Sequence, residues 1–196
     1  MTIAVYIDSC AWNYLHEKAI DLLRELPPDT YALYLTREVE IELEAIPDGE
    51  KKQTLKAYIK SSIERSSIKT TSVFGFQTHR IDGVPSKVQV YGGFGQGTFQ
   101  PATDRAFYAS PEIKSQLVGK KPRKSGLSAN QADASLAARS FGAFVLTTDK
   151  NRGPLKNGFR TWCKDCLSHC RSRKKWAHAR PIHGIAAAGH MSRFNV

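Results

Sequence analysis

Two short apolar runs each stop on an aspartate. Ile3-Ala4-Val5-Tyr6-Ile7 runs into Asp8, and Ala143-Phe144-Val145-Leu146-Thr147 runs through Thr148 into Asp149. Runs without polar alternation leave no face for water, so they read as strands buried on both sides. Such strands belong to parallel sheets covered by helices, which restricts the chain to an α/β architecture.

The pattern between the two runs agrees. Ser9 is a candidate cap for a first helix, with Trp12, Leu15, Ala19, Leu22, Leu23 and Leu26 on one face until Pro27-Pro28 ends it. A second strand is expected over 31–35, followed by Thr36 as N-cap, a helix over 37–46 and another over 49–64. Residues 66–126 are less regular. Strands are expected over 68–74 and 87–91, and a loop over 92–97. Ser110-Pro111 should open a helix, and 120–124 form a basic linker. Ser128 is expected to cap a helix over 129–141 that Gly142 closes. The strand–helix order favours a central parallel sheet with right-handed crossovers.

Charge divides the chain. Its 196 residues carry a net +11, yet residues 151–196 hold ten basic residues against one acid, a net +9, leaving +2 for the rest. The body is therefore read as residues 1–155 and the tail as 156–196. A composition of 41% hydrophobic and 24% charged residues excludes a disordered chain. No stretch reaches the roughly 18 apolar residues of a membrane span, and the opening run is too short for a signal-peptide core. A cytoplasmic protein without a membrane partner is expected. The positive balance favours an anionic partner such as nucleic acid.

Four acids stand where the fold does not need them. Asp8 and Asp149 follow the C-terminal ends of strands, where open α/β sheets bind ligands. Glu42 lies on the inward stripe of its helix beside Val39, Leu43 and Ile46, whereas Glu38, Glu40 and Glu44 mostly point elsewhere. Asp133 sits among Ala132, Leu136 and Ala137. Each has an ordinary structural explanation: a helix cap for Asp8, a turn for Asp149, a solvated rim for Glu42, a first-turn acid for Asp133. Together they form a set of like charges that a divalent cation would stabilise, and oxygen ligands suit Mg²⁺ or Mn²⁺.

In this order the blocks resemble the PIN-domain nucleases. They are Val5-Tyr6-Ile7-Asp8-Ser9, Thr36-x-x-Val39-x-x-Glu42-Leu43, Asp133-Ala134-Ser135-Leu136-Ala137-Ala138 and Val145-Leu146-Thr147-Thr148-Asp149. The resemblance covers 3–50 and 126–152. It implies a PIN-like central parallel sheet flanked by helices, interrupted by 66–126 and followed by a basic C-terminal tail. It further implies that Asp8, Glu42, Asp133 and Asp149 bind Mg²⁺ or Mn²⁺ as the catalytic set, supported by Thr147 and Ser9. The implied activity is metal-dependent hydrolysis of phosphodiester bonds in RNA, as in toxin-type members held by an antitoxin protein. Segment 66–126 is open to three readings: a lid, a substrate groove, or a dimer surface that would make the chain a homodimer. After the last acid, where the family continues into another strand, no convincing strand is evident.

Two rivals stand beside this reading. One is a non-catalytic nucleic-acid-binding protein on a PIN scaffold. The other is a phosphatase with Asp8 as nucleophile, weakened because Ser9-Cys10-Ala11 supplies no second aspartate. The tail holds Cys163-x2-Cys166-x11-His178-x4-His183, close to a Cys₂His₂ Zn²⁺ spacing. The apolar positions of a finger are not evident there, and Cys170 and His169 compete as ligands. An unstructured basic arm, or an ending foreign to the family after a frame change, explains the same residues. The glycine loop 92–97 lacks the Gly-Lys-Ser/Thr of a phosphate-binding loop. Cys10 reads as a small buried residue.

Overall fold

The computed structural model describes residues 2–75, 88–95, 97–118, 120–149, 153–157 and 161–162. Seven parallel strands form its sheet: β1 (Ile3–Ile7), β2 (Tyr31–Thr36), β3 (Lys69–Phe74), β4 (Tyr91–Gly92), β5 (Gly97–Thr98), β6 (Phe144–Leu146) and β7 (Thr161–Trp162). Their order is β4-β3-β2-β1-β6-β7, with β5 also pairing β3. The helices are α1 (Ala11–Glu17), α2 (Leu22–Glu25), α3 (Arg37–Glu44), α4 (Glu50–Arg65), α5 (Ala102–Ala109), α6 (Pro111–Leu117) and α7 (Gln131–Arg139). A 3-10 turn spans Gly153–Asn157. The expected α/β architecture with a parallel sheet is what the chain adopts.

β1 is the hinge of the topology. Val5 pairs Leu33 of β2 on one side and Phe144 of β6 on the other. The chain first builds outward from β1 through β2 and β3, then returns to β1's other side with β6. That reversal opens a crevice at the carboxyl ends of β1 and β6, the usual ligand position in open α/β sheets. The core fits the two-sided burial read from the sequence: Val5, Ile7, Leu35, Val145 and Leu146 are fully buried, with Trp12, Leu15, Val39 and Leu136 packed over them. Small residues on α7, among them Ala134, Ala137 and Ala138, let it pack against α3, α5, β2 and β6.

Several local expectations give way to tertiary contacts. The first helix is two, because Ala19 takes φ +47° and Asp21 caps α2 through the Leu23 N–H at 3.1 Å. Ser9 does not cap α1, whose N-cap is Cys10 without a side-chain bond. Thr36 does cap α3, accepting from the Val39 N–H at 3.3 Å, and Ser110 caps α6 likewise from Ile113. Ser128 caps nothing with its hydroxyl. α7 starts later, with Asn130 at its N-cap in the left-handed region, and the Gln131 side chain reaches back to accept the Ser128 N–H at 3.0 Å. Ser140 closes α7, two residues before Gly142.

A strand does follow the last acid. β7 extends the parallel ladder, Val145 to Thr161 and Leu146 to Trp162, so the sheet continues past residue 155. Segment 66–126 also belongs to the body among the described residues. β3 pairs β2, α5 packs on α7, and Phe107, Ile113 and Leu117 enter the core. Of the strand expected over 87–91, residue 91 continues with 92 as β4, while 87 lies outside the described residues. Gly97 is required where it stands: a Cβ there would lie 2.5 Å from the Phe74 Cα. No helix among the described residues is long and apolar enough to cross a membrane.

Candidate functional site

The site begins where the β1–β6 ladder ends. The Asp8 N–H donates to the Leu146 carbonyl at 2.9 Å, which brings the first acid against the end of β6. Asp8 is buried, so its carboxylate depends on local donors. Thr147 donates its hydroxyl to Asp8 Oδ2 at 2.6 Å, and Cys10 Sγ lies 2.9 Å from the same oxygen. The Thr147 hydroxyl oxygen in turn accepts the Asp149 N–H at 3.0 Å. One buried threonine thus ties the first and last acids together. Cys10 is more than a small packed residue: its thiol is aimed at Asp8, and burial and then the Asp8 charge push its pKa up.

Glu42 comes from α3, whose N-terminus is fixed to α7 by the 2.8 Å contact between the Thr36 and Ser135 hydroxyls. Ser9 donates its hydroxyl to Glu42 Oε2 at 2.7 Å, the contact that replaces its expected capping role. Arg123 donates to Glu42 Oε1 at 3.0 Å. The loop carrying Arg123 is itself closed. The Arg123 N–H donates to the Leu127 carbonyl at 2.7 Å, Pro122 bridges Ser128, and Gly126 sits at φ +82°, a conformation that favours glycine.

Asp133 occupies the first turn of α7. Burial pushes its carboxyl up to about 6, followed by the charges of Asp8 and Glu42 and, more weakly, Asp149, with Arg123 opposing. Four segments far apart in sequence therefore act on one carboxyl. Thr147 links Asp8 and Asp149, the Ser9 hydroxyl reaches both Asp8 and Glu42, and Asp133 feels the charges of all three acids. Among the described residues, no group of three or more His, Cys, Asp or Glu side chains is arranged to hold a metal ion as it stands. The acids' oxygens are instead turned to separate donors: Thr147 and Cys10 for Asp8, Ser9 and Arg123 for Glu42. The donor set is nevertheless the right one for Mg²⁺ or Mn²⁺, being all carboxylate and hydroxyl oxygen. Cys163, Cys166, His178 and His183 lie outside the described residues.

Sequence reading missed two features. Arg123 looked like linker charge, and nothing in its spacing marks it as Glu42's partner. Glu38 does not point away with its neighbours; it is buried and accepts the Val90 N–H at 2.8 Å. Burial raises its pKa. Its spacing of four from Glu42 put both on one helix face, a signal that was available. Glu38 belongs to a second polar cluster with Asp104 and Arg139, paired at 3.6 Å, around a cavity of about 10 Å³. That volume holds about one water. The Tyr108 phenol beside it is pushed up by burial and then by Glu38. No family model, characterised protein or solved structure matches the chain.

Proposed function

We propose that the protein is a PIN-like, metal-dependent nuclease that hydrolyses phosphodiester bonds in RNA. The observation that carries the reading is the state of Asp133: a carboxyl on a buried helix, crowded by acids from β1, α3 and the end of β6, at the topological switch point. Crowding acids costs folding free energy, and a cation-binding function accounts for that cost. The ordered blocks that resemble the PIN family supply the particular chemistry.

Asp8, Glu42, Asp133 and Asp149 would hold Mg²⁺ or Mn²⁺. When bound, such an ion lowers the pKa of its water towards neutrality and offsets charge developing on the phosphate. Thr147 keeps Asp8 oriented and Ser9 keeps Glu42 facing it. None of the four acids acts as a nucleophile. The biological role that the resemblance suggests is a toxin restrained by an antitoxin protein.

The test is cleavage of RNA with Mg²⁺ or Mn²⁺ by the wild type and by Asp8→Asn and Asp149→Asn. Cleavage by the wild type, lost in both variants and in chelator, is expected. Equal cleavage by all three proteins removes these residues from the reaction, and salt-sensitive RNA binding without cleavage favours a binding protein on the same scaffold.

A further inference from the structure

Beside the acids runs a groove of about 430 Å³, within the roughly 300–1,000 Å³ of small-molecule sites. Four chain segments build it, one of them Ser9, Cys10 and Asn13, which runs from the end of β1 into α1. Leu43 and Ile46 come from α3 and the residue run after it, Leu55 and Lys52 from α4, and Arg123, Lys124 and Ser125 from the closed loop before α7. At one end it reaches Ser9 and Glu42, so it opens directly onto the acid cluster.

The lining is sorted by chemistry. Leu43, Ile46 and Leu55 are its apolar part, half-buried or buried. Lys52, Arg123 and Lys124 are exposed cations along it. The Ser125 hydroxyl is buried and has no hydrogen-bond partner among the described residues. An apolar surface beside several cations is complementary to a nucleotide, whose base has flat apolar faces and whose phosphate is anionic. Arg123 has five N–H donors, and the hydrogen bond from Nη1 to Glu42 leaves others for a phosphate. A duplex keeps its bases stacked inside, whereas a single strand can turn one out onto an apolar wall.

We propose that this groove binds one nucleotide of single-stranded RNA, adjacent to the phosphodiester at the acid cluster. Leu43, Ile46 and Leu55 take the base, and Lys52, Arg123 and Lys124 take the flanking phosphates. Which phosphodiester is cut rests on the nuclease reading; occupation of the groove does not.

The experiment separates the two. Binding of a fluorescein-labelled single-stranded RNA of about twelve nucleotides is followed by anisotropy in EDTA, where metal-dependent cleavage cannot occur. Lys52→Glu and Lys124→Glu change exposed side chains. Each is expected to weaken binding about fivefold or more and to lower the salt slope by about one. Lys69→Glu, at the opposite, N-terminal end of β3, is expected to stay within about twofold. Ile46→Ala should weaken the single strand and leave a duplex of the same sequence unchanged. Thermal melts of all variants check folding. Absence of wild-type binding overturns the groove, as do equal losses in all three charge reversals or no loss in Lys52→Glu and Lys124→Glu. Cleavage in Mn²⁺, scored separately on the wild type, decides the nuclease reading whatever the groove does.

Discussion

Asp133 makes a quantitative prediction possible in the absence of any ligand. Its carboxyl stands at about 6 against an ordinary 3.8, raised by burial and by three acids. At about 1.4 kcal/mol per pKa unit, ionising it in the folded chain costs up to about 3 kcal/mol. Because the folded pKa lies above the unfolded one, the folded state binds more protons between roughly pH 4 and 6. Stability in chelator therefore falls as pH rises through that window and levels off above about 7. Asp133→Asn keeps the shape and removes the charge. In EDTA at pH 8 it should be more stable than the wild type by up to about 3 kcal/mol, and near pH 4 the gap should close. With a urea slope of about 2 kcal/mol per molar, the midpoint moves up by as much as about 1.5 M. Urea titrations followed by tryptophan fluorescence, to which buried Trp12 contributes, measure it. Other raised carboxyls, such as Glu38 and Asp104, are common to both proteins and cancel in the difference. Mn²⁺ should then stabilise the wild type more than the variant. An Asp133→Asn protein that is no more stable at pH 8 than the wild type, or a gap that does not close in acid, refutes the crowding of the four acids.

Three further outcomes follow from the same contacts. Arg123→Gln removes the cation already bound to Glu42, so Mn²⁺ affinity measured by calorimetry should rise several-fold; a fall would mean that the guanidinium does not compete with metal. Thr147→Val strips Asp8 of its 2.6 Å donor and leaves the Asp149 N–H without its acceptor. A loss of about 1–3 kcal/mol in denaturant titrations is expected, together with reduced RNA cleavage. Gly97→Ala puts a Cβ 2.5 Å from the Phe74 backbone, so thermal melting should drop by the equivalent of about 1–3 kcal/mol; an unchanged melt would show that β5 yields easily.

What the sequence disclosed, and what it hid, divides along a physical line. Strands buried on both faces announce themselves, because burial on two sides leaves no polar alternation; β1 and β6 were legible for that reason. The four acids were legible because a charge beside an apolar stripe, or at a strand's end, is anomalous against its neighbours. Caps were legible only where the helix begins directly after the capping residue. Thr36 and Ser110 cap their helices, but Ser9 spends its hydroxyl on Glu42 from another part of the chain. Strand β7 is two residues long and draws its definition from β6, so its own composition carried no signal. Arg123 was hidden for the same reason: its role depends on a contact across 81 residues.

The arrangement also explains how one small fold tolerates four acids in one place. Asp8 is served by a hydroxyl and a thiol, and Glu42 by a hydroxyl and a guanidinium. Asp133, set in the first turn of a largely buried helix, has Arg123 as the opposing charge against three acids, and its carboxyl carries the displacement. A cation entering among the acids would relieve Asp133, and it would release Arg123 from Glu42 as it did so. The released guanidinium would face the groove it already lines, where the cationic wall continues through Lys124. The net charge of only +2 over residues 1–150 is therefore a poor guide to partners; the separation of acids at the strand ends from cations along the groove is the better one.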